Sequence, residues 1–308
     1  MDIYVILMQM IQLFLVMALG YFLFKIDMID LHMNKKLTSL LLSVTTPALI
    51  VSSVFSCEKT QSLNDILFVF VIGIIIYLVM PLVGLLLVKV MRIPLPQQGL
   101  YIFMTVFSNI GFMGFPVMKA IFGDVAVFYT AIFNMLFNLF VFTVGIVIMN
   151  YGTGQKVKVE PKNLLSPGVI ASFVALFIYF TQFKFPDVIA STITMVGDIT
   201  TPIAMLLIGA TLANIPFKEV FSELRVYPYT IIKQVVIPIL FYPILRFFIQ
   251  DPLVLGVTLI MISMPVGNTA VLFATEYGGD TTLAAKNVFM TTLLSIITIP
   301  LVVALFLA

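Results

Sequence analysis

The stretch FSNIGFMGFPVM, residues 107–118, contains four residues that are unfavourable in the middle of a membrane helix: Asn109, Gly111, Gly114 and Pro116. Proline lacks an amide donor and disfavours helix at the residue before it. Glycine lets the chain turn and lets another backbone approach closely. The pattern predicts a helix that is interrupted near the middle of a membrane.

A second apolar stretch, MPVGNTAVLF at residues 264–273, has the same character through Pro265, Gly267 and Asn268. The freed amides and half-helix N-termini of interrupted helices carry partial positive charge. The side chains of Asn109 and Asn268 can both donate and accept hydrogen bonds. Two interruptions that cross each other would therefore suit an anion such as a carboxylate. The alternative is that the Gly and Pro residues only kink packed helices.

The composition identifies the elements that must position these residues. Of 308 residues, 61% are hydrophobic and 10% are charged, against about 25% charged in soluble proteins. The apolar runs reach the length of about 20 residues that crosses a bilayer, so we expect an all-α polytopic membrane protein. The first run lacks signal-peptide features and is expected to be a retained span. The single cysteine, Cys57, excludes an internal disulfide and is interpreted as a small apolar residue near a helix end.

The apolar runs predict ten spans, at residues 3–24, 37–56, 66–88, 97–122, 125–150, 167–181, 188–212, 226–249, 253–276 and 283–307. The longest connection, Tyr151 to Ser166, is predicted to be a mobile linker. The odd-numbered loops hold eleven Lys and Arg residues and the even-numbered side holds four. This asymmetry places the odd loops in the cytoplasm and both termini outside the cell membrane.

The sequence also repeats itself. The tripeptide TTP occurs at residues 45–47 and again at 200–202, and the pair FG at 122–123 recurs as YG at 277–278, both with an offset of 155. The two interrupted stretches fall in the fourth span of one half and the matching ninth span of the other. We therefore expect two five-helix repeats, residues 1–155 and 156–308. An odd number of spans inverts the second repeat, which is typical of secondary transporters.

Other polar residues lie inside predicted spans. Asn134 and Asn138 are four residues apart on one helix face, where they either line an anion path or bond to neighbouring helices. Thr291, in the tenth span, either bonds across helices or reaches the crossing.

Of three charged residues in or near the spans, two have two interpretations each. Asp198, near mid-depth in the seventh span, either carries a proton or cation or caps the helix that follows. Lys233 either extends its charge to the membrane surface or attracts the anion. Lys119 is expected to face interfacial water.

Several stretches together carry a family resemblance: SNIGFMGFPVMKAIFG, FNMLFNLFVFTVG, ITTPIAMLLIGATLA, MPVGNTAVLFATEYGGD and TTLLSIITIP. With them, essentially the whole chain resembles the auxin efflux carrier family, in its bacterial branch. The resemblance implies a ten-helix fold shared with bile acid:sodium symporters. It also implies a mobile transport domain of helices 3–5 and 8–10, a dimerising scaffold of helices 1, 2, 6 and 7, and elevator-like transport.

By the same resemblance, the substrate is a small organic anion, such as malonate or malate. The crossover residues that would line its site are Asn109, Gly111, Gly114, Pro116, Pro265 and Asn268. The chain departs from the plant carriers in its third span, which has only Asp65 and Lys89 at its two edges. A proton-linked acid–lysine pair within that span is therefore not expected.

These patterns exclude several function classes. One loop histidine, one cysteine and one mid-depth acid do not supply an intramembrane enzyme or a metal centre. We therefore expect no cofactor, no metal and no nucleic-acid partner. The resemblance implies a homodimer, in contact with lipid. The alternatives are a channel, a membrane sensor and a sodium-coupled symporter of the bile acid type; proton or sodium coupling is left open.

Overall fold

The computed structural model describes residues 3–55, 63–151, 166–214, 221 and 223–306. Within these ranges every regular element is a helix. Cys57 and almost all of the predicted linker after Tyr151 lie outside the described residues, so the interpretations made for them stay predictions.

In chain order the helices are α1 Ile3–Lys25, α2 Leu31–Leu40, α3 Thr46–Ser52, α4 Leu63–Val90, α5 Leu95–Val106, α6 Phe115–Phe122, α7 Asp124–Phe140, α8 Ile146–Met149, α9 Pro167–Thr181, α10 Asp187–Asp198, α11 Thr200–Ala213, α12 Val226–Ile231, α13 Ile237–Phe248, α14 Pro252–Ser263, α15 Thr269–Glu276 and α16 Thr281–Phe306. Wider π-helical turns occupy Leu41–Thr45, Ile110–Gly114, Val141–Gly145 and Ile232–Val236.

Five helical stretches in the described part of the chain are long and apolar enough to cross a membrane: Asp65–Val90, Asp124–Met149, Asp187–Ala213, Val226–Phe248 and Thr281–Phe306. Large apolar side chains on these stretches are exposed, Leu82 by 64% and Phe247 by 76%, as a lipid environment permits. The chain is a multi-pass, all-α membrane protein. The full count of ten crossings stays a prediction, because the other apolar helices are shorter.

Capping side chains explain where several helices begin. Asp30 accepts a hydrogen bond from the amide of Met33 at 2.6 Å, before α2. Asp251 accepts from the amides of Leu253 and Val254 at 2.8 and 2.9 Å, before α14. The first amides of a helix have no intrahelical acceptor, so these caps stabilise the helix starts.

The chain forms two compact units. Unit 1 contains residues 1–70, 110–135 and 165–214, and unit 2 contains residues 71–109, 136–164 and 215–308. The chain passes from one unit to the other within α4, after Asn109 and within α7. The division into scaffold and transport domain stays a prediction.

Close helix packing in unit 1 depends on two glycines. A Cβ atom at Gly209 of α11 would collide with the carbonyl oxygen of Met17 in α1. A Cβ atom at Gly20 would likewise collide with the main chain of Leu206. Small residues let the two helices approach closely. The resulting van der Waals packing holds helices together in lipid, where no hydrophobic force drives their association.

Candidate functional site

Helix α5 ends at Val106, three residues before the π-helical turn Ile110–Gly114 begins. Phe107 leaves the helix with an extended backbone, φ −100° and ψ 90°. The predicted interruption is therefore present, but it lies at residues 107–109 and not over the whole of 109–116. Pro116 lies two residues after that π-helical turn, which continues directly into α6, so the helical segment after the interruption runs from Ile110 to Phe122.

The second interruption lies between α14, which ends at Ser263, and α15, which begins at Thr269. Met264 is extended, with φ −57° and ψ 147°, as expected for a residue before proline. The first halves of the two interrupted helices, α5 and α14, have 12 residues each, whereas the second halves are Ile110–Phe122 and the shorter α15.

The two interruptions pair with each other inside unit 2, as the sequence predicted. Ser108 and Val266 form an isolated antiparallel bridge. The amide of Asn109 donates to the carbonyl of Pro265 at 2.8 Å, and the amide of Gly267 donates to the carbonyl of Phe107 at 3.4 Å. The pairing satisfies backbone groups that the helices no longer bond, and both Ser108 and Val266 are buried.

The glycines at the interruptions differ in their surroundings. A Cβ atom at Gly267 would lie 3.2 Å from the carbonyl oxygen of Ser108, so this glycine does permit close backbone approach. Among the described residues, a Cβ atom at Gly111 would meet no atom within 4 Å. The expectation of close approach is therefore wrong for Gly111, since the π-helical turn leaves space around it.

A buried lysine contacts the pairing. Lys233 lies in the π-helical turn Ile232–Val236, and none of its surface is exposed. Its ammonium donates to the hydroxyl oxygen of Ser108 at 2.9 Å and to the carbonyl oxygen of Thr105 at 3.0 Å. The prediction that Lys233 extends towards the membrane surface is wrong, because its charge is directed at the last turn of α5.

The neighbouring side chain, Gln234, connects to α16. Its amide nitrogen donates to the carbonyl of Thr291 at 2.8 Å. The hydroxyl of Thr291 accepts from the amide of Val266 at 3.1 Å and donates to the carbonyl of Asn287 at 2.7 Å. Thr291 therefore reaches the pairing, as one of its two interpretations proposed.

Aromatic rings surround the first interruption in unit 2. The ring of Phe107 lies 4.7 Å from that of Phe103, 5.6 Å from that of Phe137 and 6.1 Å from that of Tyr77, measured between centroids. Asn109 beside it is 4% exposed. The low dielectric of such surroundings strengthens any electrostatic interaction at the pairing.

The predicted site residues divide between the units. The structure brings Asn109, Pro265 and Gly267 together in unit 2, where Asn268 and Asn138 also lie. The remaining predicted site residues belong to unit 1: Gly111, Gly114, Pro116 and Asn134. Asn134 faces α9, since a Cβ atom at Gly168 would lie 3.3 Å from its amide nitrogen. Asn134 therefore contacts a neighbouring helix, as one of its two interpretations proposed.

Asp198 lies at the end of α10 in unit 1, with its side chain 56% exposed. It accepts a hydrogen bond from Lys119 at 2.6 Å, and Lys119 also lies 3.7 Å from Asp124. The interpretation of Asp198 as a helix cap is wrong, because Ile199 occupies the N-cap position and no side chain caps α11. The expectation that Lys119 faces interfacial water is incomplete, because its ammonium also forms ion pairs with the carboxylates of Asp124 and Asp198.

Sequence reasoning missed Ser108 and Gln234. Each is a single polar residue in an apolar run, and such residues usually bond within the bundle. The one available signal was the adjacency of Ser108 to Asn109 and of Gln234 to Lys233.

The helices of membrane-crossing length define a polytopic membrane protein. Two of its helices are interrupted, and the two interruptions pair with each other in a buried position. A family model described as membrane transport protein matches residues 5–163 and residues 155–303. The chain belongs to this family, the auxin efflux carrier family, as its resemblance predicted.

Three relatives agree with this assignment. A protein of Rhizobium meliloti, named "Putative malonate transporter", is 25% identical over 63% of this chain and 62% of its own length. An uncharacterized transporter of Methanocaldococcus jannaschii is 24% identical over 96% of this chain and 97% of its own length. An uncharacterized transporter of Methanothermobacter thermautotrophicus is 22% identical over 94% and 95%, respectively. Family and relatives are transporters, in agreement with the expectation that the chain is not an enzyme.

Proposed function

We propose that this protein is a secondary transporter that moves a small organic anion, a mono- or dicarboxylate, across the cell membrane. The observation that carries the proposal is the buried pairing of the two helix interruptions at Ser108 and Val266. Non-helical backbone persists at membrane depth only where it faces protein or a water-filled cavity. Transporters use such interrupted helices to bind substrates.

The chemistry of the pairing supports an anion. Helix α15 begins there, and its N-terminal end carries partial positive charge. Asn268 occupies the N-cap position without a side-chain cap bond, so its amide is available to a ligand. Asn109, buried on the other interruption, contributes a second amide group. Asn138, which lies in the same unit, stays part of the proposal, whereas Gly111, Gly114, Pro116 and Asn134 lie in unit 1 and stay predictions from the sequence.

The transport cycle is proposed to be elevator-like, with ten spans arranged as two inverted five-helix repeats. The equal lengths of α5 and α14 and the two family matches, one mainly in each half, support the repeat. We further propose that both termini lie outside the cell, which follows from the distribution of Lys and Arg. The homodimer is proposed from the family resemblance.

Counterflow in proteoliposomes tests the proposal. Labelled malonate, chosen because one relative bears that name, is supplied outside, and unlabelled mono- and dicarboxylates are supplied inside. Malonamide, the neutral diamide of malonate, is the matched control. We expect trans-stimulation of uptake by at least one carboxylate and none by malonamide.

Three other results would contradict parts of this proposal. Failure of every carboxylate to stimulate uptake by folded protein would exclude the anion site. Binding without flux would identify a sensor, and flux without saturation or counterflow would identify a channel. If flux requires sodium, the protein is a sodium-coupled symporter and not a sodium-independent transporter.

A further inference from the structure

Lys233 is a fully buried ammonium whose two hydrogen-bond partners are both uncharged. It donates to the hydroxyl of Ser108 and to the carbonyl of Thr105, both at the end of α5. An ammonium has three N–H groups, so one donor remains. None of the ion pairs seen within the described ranges involves Lys233.

Burying a charge without a counter-charge is expensive, and membrane proteins keep such groups mainly where they function. The aromatic rings of Phe103, Phe107 and Tyr77 around the first interruption increase this cost by excluding water. A carboxylate bound at the pairing would supply the missing negative charge and accept the third N–H group. The hydrogen bond would be charge-assisted and correspondingly strong.

A purely structural role for Lys233 explains its contacts with α5 but does not explain why the residue is charged. A cation near the last turn of α5 does interact favourably with the helix dipole. The other interruption, however, is tied to its neighbouring helix by the uncharged hydroxyl of Thr291, through the amide of Val266. Joining a helix to an interruption therefore needs no charge, and the charge of Lys233 requires a separate explanation.

We propose that the ammonium of Lys233 binds a carboxylate group of the transported anion and makes the protein select acids over their neutral amides. The proposal rests on the proposed function and extends it by naming the residue that recognises the charge. Lys233 adjoins the pairing through Ser108, the residue directly before Asn109. Because Lys233 supplies one positive charge, a substrate needs at least one ionised carboxylate group to bind it.

The test compares Lys233→Met with the wild type in the counterflow assay. Methionine retains much of the aliphatic part of the lysine side chain and removes the charge. We expect the KM for malonate to rise about 10- to 100-fold, the effect of losing a hydrogen bond to a charged group. Inhibition by malonamide should stay within about twofold of its wild-type value, so the preference for the acid should fall. Lys89→Met, which removes an exposed lysine at the end of α4, should leave the KM within about twofold.

The result separates this inference from the proposed function. If the wild type transports no carboxylate, the proposed function itself fails. If the wild type transports malonate and Lys233→Met transports it with the same KM, only the role of Lys233 fails.

A measurement on the wild-type protein decides the matter if Lys233→Met does not fold. Solid-state NMR with 15Nζ-lysine protein and 13C-carboxylate malonate should show dipolar coupling to a lysine signal that is absent from Lys233→Arg. Such coupling corresponds to an N–C separation of about 4 Å or less, as an ammonium–carboxylate hydrogen bond requires. Absence of coupling to any lysine under saturating malonate would overturn the proposal.

Discussion

Lys119 and Asp198 form an ion pair of 2.6 Å that joins the last turn of α6 to the end of α10 in unit 1. The two side chains are 31% and 56% exposed, so the pair is a partly solvated one. Exposed pairs of this kind stabilise a fold by about 1 kcal/mol or less. The close contact alone therefore does not distinguish an ion-carrying carboxylate from a structural tie.

Substitution of each partner separates these roles. If Asp198 carries a proton or cation, Asp198→Asn should abolish the proton or sodium dependence of flux, because an amide cannot ionise. Lys119→Gln breaks the same ion pair but retains the carboxylate, so it should keep that dependence. Flux would be measured with and without a pH or sodium gradient. Unchanged coupling in Asp198→Asn would leave only the structural role, in which both variants lose a similar, small amount of thermal stability.

Asn109→Ala should reduce malonate counterflow by about tenfold or more, because it removes a buried amide from the proposed anion site. The fold should persist, since the backbone hydrogen bond from Asn109 to Pro265 does not need the side chain. Asn150→Ala is the matched control, as Asn150 is also buried but donates to Ile146 within its own helical stretch. Initial counterflow rates and size-exclusion profiles give the comparison. Wild-type flux in Asn109→Ala would rule out the crossing as the substrate site.

Two glycines at the interruptions should respond differently to alanine. Gly267→Ala places a Cβ atom 3.2 Å from the carbonyl oxygen of Ser108 and 3.0 Å from the hydroxyl of Thr269, so the pairing must shift. We expect a loss of about 1–3 kcal/mol in stability and a lower rate of transport. Gly111→Ala enters open space in a helical turn, where alanine is favourable. Thermal unfolding of both variants provides the measurement; equal effects would contradict the geometry.

The interruptions and their pairing with each other were predictable from sequence, whereas the limits of the first interruption and the direction of the Lys233 side chain were not. Pro116 and Gly111 indicated an irregular segment, but the non-helical residues are only 107–109, and the chain then resumes as the π-helical turn Ile110–Gly114 and α6. The depth of Lys233 along its helix was also readable from sequence. The direction of its side chain was not, because it depends on the carbonyl of Thr105, which is 128 positions away in the chain.

Thr291→Val should destabilise the pairing more than its small change in shape suggests. The hydroxyl of Thr291 accepts the hydrogen bond of the Val266 amide, and valine leaves this buried donor without its acceptor. An unsatisfied buried donor costs about 1–3 kcal/mol, so we expect lower thermal stability together with slower counterflow. Thr291→Ser retains the hydroxyl and should recover most of both. Thr292→Val, which makes the same change at the next buried position of α16, should have a smaller effect. If Thr291→Val and Thr292→Val behave alike, the hydroxyl does not hold the second interruption in place.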